Sequence, residues 1–203
     1  MEDRKGAGIA HTLAKPLLNA NPQALTVLSL LLAGIGGLLY YFGSIFLIFS
    51  FLAILFSSYL DAADGEAARH QGKTSPRGDL LDHTVDRYSD LMIIVGMGLS
   101  FYSNPYLCIG AVTGIMMTSY MGTQSQALGL GRDYSGPMGR AYRLVVVMVA
   151  TIVQFFVPYT FAWYFPVDVT TIVLLWFFLG GFGTAFLRFG NAYRNLGPKI
   201  MDK

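Results

Sequence analysis

Two pairs of aspartates provide the clearest chemistry in this sequence. Asp61 and Asp64 are three residues apart, and Asp82 and Asp86 are four residues apart. At these spacings the two side chains of each pair lie on one face of a helix. Carboxylate oxygens are the hard ligands that Mg²⁺ and Mn²⁺ prefer, and the sequence has no set of Cys and His at zinc spacing. The two pairs therefore predict a site for a divalent metal ion.

The acidic residues are concentrated in one short part of an apolar chain. Seven of the 12 acidic residues lie between positions 61 and 90. Hydrophobic residues make up 54% of the sequence and charged residues 13%, whereas a soluble domain has about 25% charged residues. A charged side chain near the centre of a bilayer costs about 2.5–3.5 kcal/mol, so grouped carboxylates there indicate a function. The net charge of +2 gives no reason to expect a nucleic-acid partner.

Six apolar segments are long enough to cross a membrane as helices, which takes about 20 residues each. The predicted spans are residues 24–43, 44–66, 80–102, 105–128, 141–160 and 167–190. We therefore predict an all-α, polytopic membrane protein, a bundle of six transmembrane helices that forms one domain over residues 1–203. The preceding segment, residues 1–23, is predicted to be juxtamembrane, with a short amphipathic surface helix at residues 4–18.

Basic residues predict the orientation of this bundle, because Lys and Arg collect on the cytoplasmic side of membranes. In the six-span arrangement, 13 of the 14 basic residues fall on one side of the membrane, the side of the N-terminal segment, the second and fourth connections, and the tail. The exception is Arg87, which we expect to pair with Asp90, Asp86 or Asp133. The pattern predicts a multi-pass protein of the cell membrane with both termini and the aspartate site cytoplasmic.

The aspartates belong to a longer pattern of eight residues within 26 positions. The pattern is Asp61-x2-Asp64-Gly65-x2-Ala68-Arg69-x8-Gly78-x3-Asp82-x3-Asp86. It resembles the signature of the CDP-alcohol phosphotransferase family. The resemblance implies a phospholipid-synthesising membrane transferase that moves a phosphate-linked lipid group from a CDP-lipid to an alcohol and releases CMP. It also implies that the four aspartates bind two Mg²⁺ or Mn²⁺ ions, and that Asp86 is the catalytic base.

The same resemblance assigns a site for the cytidine diphosphate. Its residues would be Gly65, Ala68, Arg69, Gly78 and Thr26. Arg69 would bind a phosphate through its fork of N–H donors. Thr26 is included because such proteins usually carry Pro-Asn-x-x-Thr, and the stretch from Pro22 to Thr26 matches this except at Gln23.

The connection between the fourth and fifth spans contains residues that indicate which kind of alcohol accepts the lipid phosphate group. Its three arginines, Arg132, Arg140 and Arg143, could bind an anionic polyol, although they could also serve only as positive-inside residues. Residues 82–90 and 122–126 resemble an archaeal branch of the family, whose members join CDP-archaeol to inositol 1-phosphate. Glycerol phosphate as acceptor and CDP-diacylglycerol as donor are the alternatives. Members of the family are commonly homodimers.

Two other classes of membrane protein also place carboxylates within a membrane. An intramembrane prenyltransferase also uses aspartate-bound magnesium, but it would carry a second aspartate-rich motif, and residues 91–203 contain only Asp133, Asp168 and Asp202. A cation carrier could also hold ions with intramembrane carboxylates, but it often contains an inverted repeat, which we do not find. Release of CMP from a CDP-lipid would distinguish the transferase from a carrier.

Overall fold

The structure is a computed structural model that describes residues 12–157 and 168–196. All regular secondary structure in these residues is helical, so the predicted all-α class is confirmed. A short 3₁₀ helix, Lys15–Leu17, is followed by six long helices: α1 (Pro22–Phe42), α2 (Phe46–His70), α3 (Pro76–Gly98), α4 (Pro105–Ala127), α5 (Arg140–Phe156) and α6 (Val169–Asn195).

Each predicted span overlaps one of these helices, but they differ in how well they suit a bilayer. Three helices, α1, α2 and α6, are long and apolar enough to cross a membrane. Helix α5 has 17 residues, and α3 carries several charged residues along its length. Residues 4–11 of the predicted amphipathic helix, and residues 158–160 and 167 of spans five and six, lie outside the described residues.

Proline and asparagine determine where two helices begin. Asn21 caps α1 by accepting a hydrogen bond from the Gln23 backbone N–H, and Pro22 is the first helical residue. Asn104 and Pro105 repeat this arrangement at α4. Proline is favoured at the first position because its missing N–H would have no partner within the helix. The Asn-Pro pair therefore marks the start of both helices.

The chain forms two compact units, and the first extends to Gly96. In this unit α1 and α2 pack along their lengths through small residues, as is typical of membrane helices. The Ser57 hydroxyl donates to the Ser29 carbonyl and the Ser50 hydroxyl to the Gly36 carbonyl, each at 2.7 Å. Helix α3 approaches α1 so closely that a Cβ on Gly37 would overlap the backbone of Met92. These contacts hold α2 and α3, which carry the aspartates, in one unit.

The second unit begins at Met97 and contains α4, α5 and α6. Helices α4 and α6 cross at Gly114 and Gly181, where a Cβ on Gly181 would lie 2.6 Å from the Gly114 carbonyl carbon. The Thr118 hydroxyl donates to the Gly181 carbonyl at 2.8 Å, next to this crossing. Helix α5 joins α6 through a hydrogen bond from Trp176 to Tyr142. That all of these helices form one domain stays a prediction.

Candidate metal and nucleotide site

The structure brings three of the four signature aspartates together. Carboxylate oxygens of Asp61 and Asp64 on α2 and of Asp82 on α3 all lie within 4.8 Å of one another. A second group, within the same distance, consists of Asp82, His83 and Asp86. Asp82 is therefore common to both groups and joins them. The spacing on each helix, combined with the pairing of α2 and α3 in one unit, produces this convergence.

The chemistry of these donors fits a divalent cation. Asp64 is 6% exposed and is surrounded by like charge, which is costly unless a cation compensates for it. The Thr26 hydroxyl donates a hydrogen bond of 2.5 Å to Asp64 Oδ2. This contact fixes the orientation of the carboxylate. Oxygen ligands from Asp61, Asp64 and Asp82 on two rigid helices suit Mg²⁺ or Mn²⁺.

Two residues near the aspartates, His83 and Arg87, have partners that the sequence left open or did not suggest. His83 has Nε2 at 3.3 Å from Asp79 Oδ1 and Nδ1 at 3.9 Å from Asp82 Oδ2. Arg87 lies 4.0 Å from a carboxylate oxygen of Asp90, which is one of its three predicted partners.

A cavity of about 540 Å³ lies beside the aspartates, within the size range of small-molecule sites. All five residues assigned to the CDP site line it: Thr26, Gly65, Ala68, Arg69 and Gly78. Asp64 and Asp82 also contribute to its lining, so the cavity reaches the candidate metal site. The structure therefore gathers the nucleotide residues and two metal-ligand candidates around one space.

Positive groups in the cavity wall suit a diphosphate. The Arg69 guanidinium is mostly exposed and donates to Glu66 Oε1 at 2.8 Å. Lys73 also lines the cavity. The N-terminal end of α3 also lies at the cavity, because Ser75 and Gly78 line it. The Gly78 N–H donates to the Ser75 hydroxyl at 3.1 Å. The positive end of a helix dipole favours anions.

Sequence reasoning missed several residues of this cavity. It did not predict that Thr26 would contact Asp64, or that Asn19, Gln71 and Lys73 would line the same space. Lys73 could have been suspected as a cation close to the signature. Asn19 and Gln71 carry no such signal, because they are isolated polar residues in connecting segments.

The three arginines assigned to the acceptor occupy different settings in the second unit. Arg132, in the loop after α4, lies over the Tyr134 ring with its guanidinium carbon 5.5 Å from the ring centroid. Arg140 is the first residue of α5 and is partly buried. Arg143 is only 3% exposed, and its Nη1 donates to the Met138 carbonyl. Arg132 and Arg140 are thus more accessible to a ligand than Arg143.

A fourth arginine in this unit was counted with the cytoplasmic tail, but it lies within α6. Arg188 is 6% exposed, and it donates from Nε to the Ser135 carbonyl at 2.9 Å and from Nη1 to the Thr118 carbonyl at 2.8 Å. A Cβ on Gly122 would lie 3.0 Å from Arg188 Nη1, so glycine gives the guanidinium its space. The signal available in the sequence was a lone cation within an apolar run.

Asp133 completes this cluster from the loop between α4 and α5. Its carboxylate accepts hydrogen bonds from the Ser135 N–H at 2.7 Å and from the Asn191 amide at 3.3 Å. Partial burial alone would raise the pKa of Asp133, but the hydrogen bonds from Ser135 and Asn191 and the charge of Arg188 together hold that pKa below its ordinary value. The loop is therefore attached to α6 through charged and polar contacts.

Residues 19–181 match the model of the CDP-alcohol phosphatidyltransferase family. The archaetidylinositol phosphate synthase of Pyrococcus horikoshii is 31% identical over 144 residues, which cover 71% of this chain and 74% of the relative. The corresponding synthase of Aeropyrum pernix is 32% identical over 99 residues, about half the length of each chain (49% and 50%). The phosphatidylinositol phosphate synthase of Cutibacterium acnes is 37% identical over 99 residues, or 45% of this chain and 47% of the relative.

Solved structures show the same fold. The crystal structure of Mycobacterium tuberculosis phosphatidylinositol phosphate synthase with CDP-DAG bound superposes with a TM-score of 0.75 at 22% identity, covering 96% of this chain and 98% of that one. A second crystal structure of that enzyme, in complex with manganese and citrate, also gives a TM-score of 0.75 at 22% identity, covering 96% and 92% of the two chains.

Proposed function

Because this chain belongs to the CDP-alcohol phosphatidyltransferase family, we propose that it transfers a lipid phosphate group from a CDP-linked lipid to inositol phosphate and releases CMP. It is a CDP-alcohol phosphotransferase, an enzyme of phospholipid biosynthesis. The observation that carries the proposal is the cavity of about 540 Å³ that joins the aspartates to Arg69, Lys73 and the start of α3. The family match sets aside the prenyltransferase and the cation carrier.

The cavity supports binding of a cytidine diphosphate group. Arg69 and Lys73 supply positive charge, and the N-terminal end of α3 supplies backbone N–H groups and a favourable dipole. The small residues Gly65, Ala68 and Gly78 leave room for the nucleotide to approach the helix backbones. Thr26 lines the same cavity and also holds Asp64.

We assign Asp61, Asp64 and Asp82 to one divalent metal ion, and Asp82 and Asp86 to a second. Bound Mg²⁺ or Mn²⁺ would neutralise the diphosphate and stabilise the charge on the attacking and leaving oxygens. The sharing of Asp82 between the two groups supports this assignment. The fold relative from Mycobacterium tuberculosis that was crystallised with manganese agrees with a divalent ion.

Asp86 is proposed as the base. The acceptor hydroxyl oxygen would form a bond to the phosphorus that carries the lipid, the bond from that phosphorus to CMP would break, and the hydroxyl proton would pass to the Asp86 carboxylate. Asp86 is 8% exposed and has a carboxylate oxygen close to Asp82.

Inositol phosphate is proposed as the acceptor, because the similar enzymes of Pyrococcus horikoshii and Aeropyrum pernix are named archaetidylinositol phosphate synthases. A phosphorylated acceptor also suits the arginines of the second unit, Arg132, Arg140 and Arg143. The names of these two similar enzymes favour CDP-archaeol as the donor, and CDP-diacylglycerol is the alternative donor. Glycerol phosphate is the alternative acceptor.

We further propose that α1 to α6 form six transmembrane spans of a multi-pass cell-membrane protein. The length and apolar composition of α1, α2 and α6 support this directly. The segregation of 13 of the 14 basic residues supports cytoplasmic termini and a cytoplasmic active site. An amphipathic N-terminal segment and a homodimer belong to the same proposal.

A CMP-release assay on the purified protein tests this function. CDP-archaeol and CDP-diacylglycerol would each be offered with inositol 1-phosphate, glycerol phosphate, inositol or serine, with Mg²⁺ or Mn²⁺ present. We expect CMP release to depend on inositol 1-phosphate and to stop in excess chelator. If glycerol phosphate were the one acceptor that supports CMP release, the assignment of inositol phosphate as acceptor would be wrong. If none of the eight donor and acceptor pairs released CMP, or if CMP release continued in full in excess chelator, the proposed mechanism would be wrong.

A further inference from the structure

One wall of the nucleotide cavity is formed by residues 18–21, between the 3₁₀ helix and α1. Asn19 and Asn21 of this wall segment line the cavity. The segment is not part of a helix. Its position therefore depends on the contacts that it makes with other parts of the unit.

Gln71, directly after α2, makes two of these contacts. Its Nε2 donates to the Leu18 carbonyl and to the Ala20 carbonyl, each at 2.7 Å. Because the amide has two protons, both carbonyls can be bonded at once. They flank Asn19, so the two bonds fix the backbone on either side of a residue that lines the cavity. We call this pair of bonds the Gln71 clamp.

The clamp connects the wall to the helix that carries two of the aspartates. The Gln71 backbone N–H donates to the Ala67 carbonyl of α2 at 3.0 Å, so the residue is the C-terminal cap of that helix. Its Oε1 accepts a hydrogen bond from Lys73 Nζ at 2.8 Å. The carboxamide thus fixes the wall segment and one of the cavity cations relative to α2.

We propose that Gln71 is a positioning residue for the donor nucleotide. It sets the distance between the wall segment and the end of α2, and so the width of the space that receives the cytidine diphosphate. This inference rests on the proposed function of the cavity. It assigns Gln71 no contact with the reacting atoms, so its effect should fall on donor binding and not on the chemical step.

The test is the variant Gln71→Met, which has similar length but no amide protons. We expect the KM for the CDP-lipid to rise about tenfold, because the variant loses both hydrogen bonds to the wall segment and the acceptor for Lys73. The value of kcat, the KM for the acceptor and the metal concentration for half-maximal activity should each change by less than about twofold. Gln71→Glu keeps the acceptor for Lys73 and should also raise the donor KM, which provides a second variant if the first does not fold.

Tyr59→Phe is the matched control. The Tyr59 hydroxyl donates to the Leu13 carbonyl at 3.0 Å, so it also ties the N-terminal segment to α2, but Leu13 lies away from the cavity lining. Loss of this bond should leave the donor KM unchanged. An equal rise in donor KM for Tyr59→Phe would show that general docking of the segment matters and would overturn the clamp, as would an unchanged donor KM in both Gln71 variants.

Binding of CMP, measured by calorimetry, separates this inference from the proposed function. If the wild type releases no CMP from any donor, the proposed function fails. The clamp is still supported if the wild type binds CMP and Gln71→Met binds it about tenfold more weakly. Equal CMP binding by folded wild type and both variants, judged by size-exclusion chromatography, would overturn the clamp whatever the activity.

Discussion

The two compact units of this protein arrange their charged groups in opposite ways. In the first unit, carboxylates of Asp61, Asp64 and Asp82 lie within 4.8 Å of one another, so like charges converge. In the second unit, the buried Arg188 guanidinium donates to main-chain carbonyls and lies in the field of Asp133. The first arrangement suits a cation from solution, whereas the second places complementary groups of the chain around the charge.

This difference shows that burial of a charged side chain does not by itself indicate a catalytic residue. Converging like charges lower stability unless a ligand binds, so they indicate a ligand site. A buried charge that is surrounded by complementary groups serves the fold. Removing a charge should therefore impair activity in the first unit and stability in the second. Four experiments can break or sharpen this contrast.

The largest effect is expected for Asp82→Asn. Asp82 belongs to both carboxylate groups, so its loss removes a ligand from each proposed metal ion. Metal ions contribute several kcal/mol to transition-state stabilisation, so the rate of CMP release should fall at least about 10³-fold. The thermal midpoint should stay the same or rise, because repulsion among carboxylates is relieved.

Asp79→Asn is the control for this change. Asp79 is on the same helix, three residues earlier, and its carboxylate contacts His83 but belongs to neither group. Its substitution should reduce activity far less. If Asp82→Asn kept normal activity, with or without a lowered thermal midpoint, then the carboxylates of the first unit would not serve activity as we propose.

The next effect, on stability, is expected for Arg188→Met. The change removes hydrogen bonds to Ser135 and Thr118 and leaves Asp133 without the nearby cation. Breaking a buried charge arrangement costs about 3 kcal/mol, so the thermal midpoint in detergent should fall by about 6–12 °C. Arg194→Met, an exposed position on the same helix, should leave it nearly unchanged. An unchanged midpoint in Arg188→Met would show that this charge does not serve the fold.

Much of the fold and of the candidate metal site could be predicted from the sequence. Long apolar runs bounded by proline and glycine gave six helices, because backbone groups in an apolar setting must bond within their own helix. Fixed spacing placed Asp61 with Asp64 and Asp82 with Asp86, because helical periodicity alone determines which residues share a face. The only further requirement was that α2 and α3 pack in one unit.

The cavity walls and the role of Arg188 could not be predicted in this way. The bonds from Gln71 to Leu18 and Ala20 join residues more than 50 positions apart through a side chain to main-chain carbonyls, which no periodic pattern encodes. Positive-inside counting treats every arginine alike, so it could not separate the buried Arg188 from the exposed Arg194. Such contacts depend on tertiary packing, which spacing along the chain does not reveal.

A smaller effect on activity is expected for Thr26→Val, which keeps the side-chain shape and removes the hydroxyl that donates to Asp64. Residues that orient metal ligands typically affect metal affinity 10–100-fold. We expect the Mn²⁺ concentration for half-maximal CMP release to rise about tenfold, with recovery in Thr26→Ser. If the metal requirement is unchanged and only the donor KM rises, then Thr26 contacts the nucleotide and does not support the metal site.

The smallest effect concerns pH and the second unit. The pKa of Asp133 is held below its ordinary value of 3.8 in the folded protein, so its charge contributes stability above the unfolded pKa, and that contribution is lost as the pH falls through the folded pKa. The thermal midpoint of Asp133→Asn should therefore lie about 2 °C below that of the wild type from about pH 7 to about pH 5, because a partly exposed charge contributes up to about 1 kcal/mol. The gap should close below about pH 4 as the wild-type carboxyl becomes protonated.

Asn at position 133 can still accept a hydrogen bond from the Ser135 N–H, so the Asp133→Asn variant isolates the effect of the charge. A gap that persists unchanged after the wild-type carboxyl has become protonated would mean that the shape of the side chain, and not its charge, supports the Arg188 cluster. The contrast between the two units would then rest on Arg188 alone.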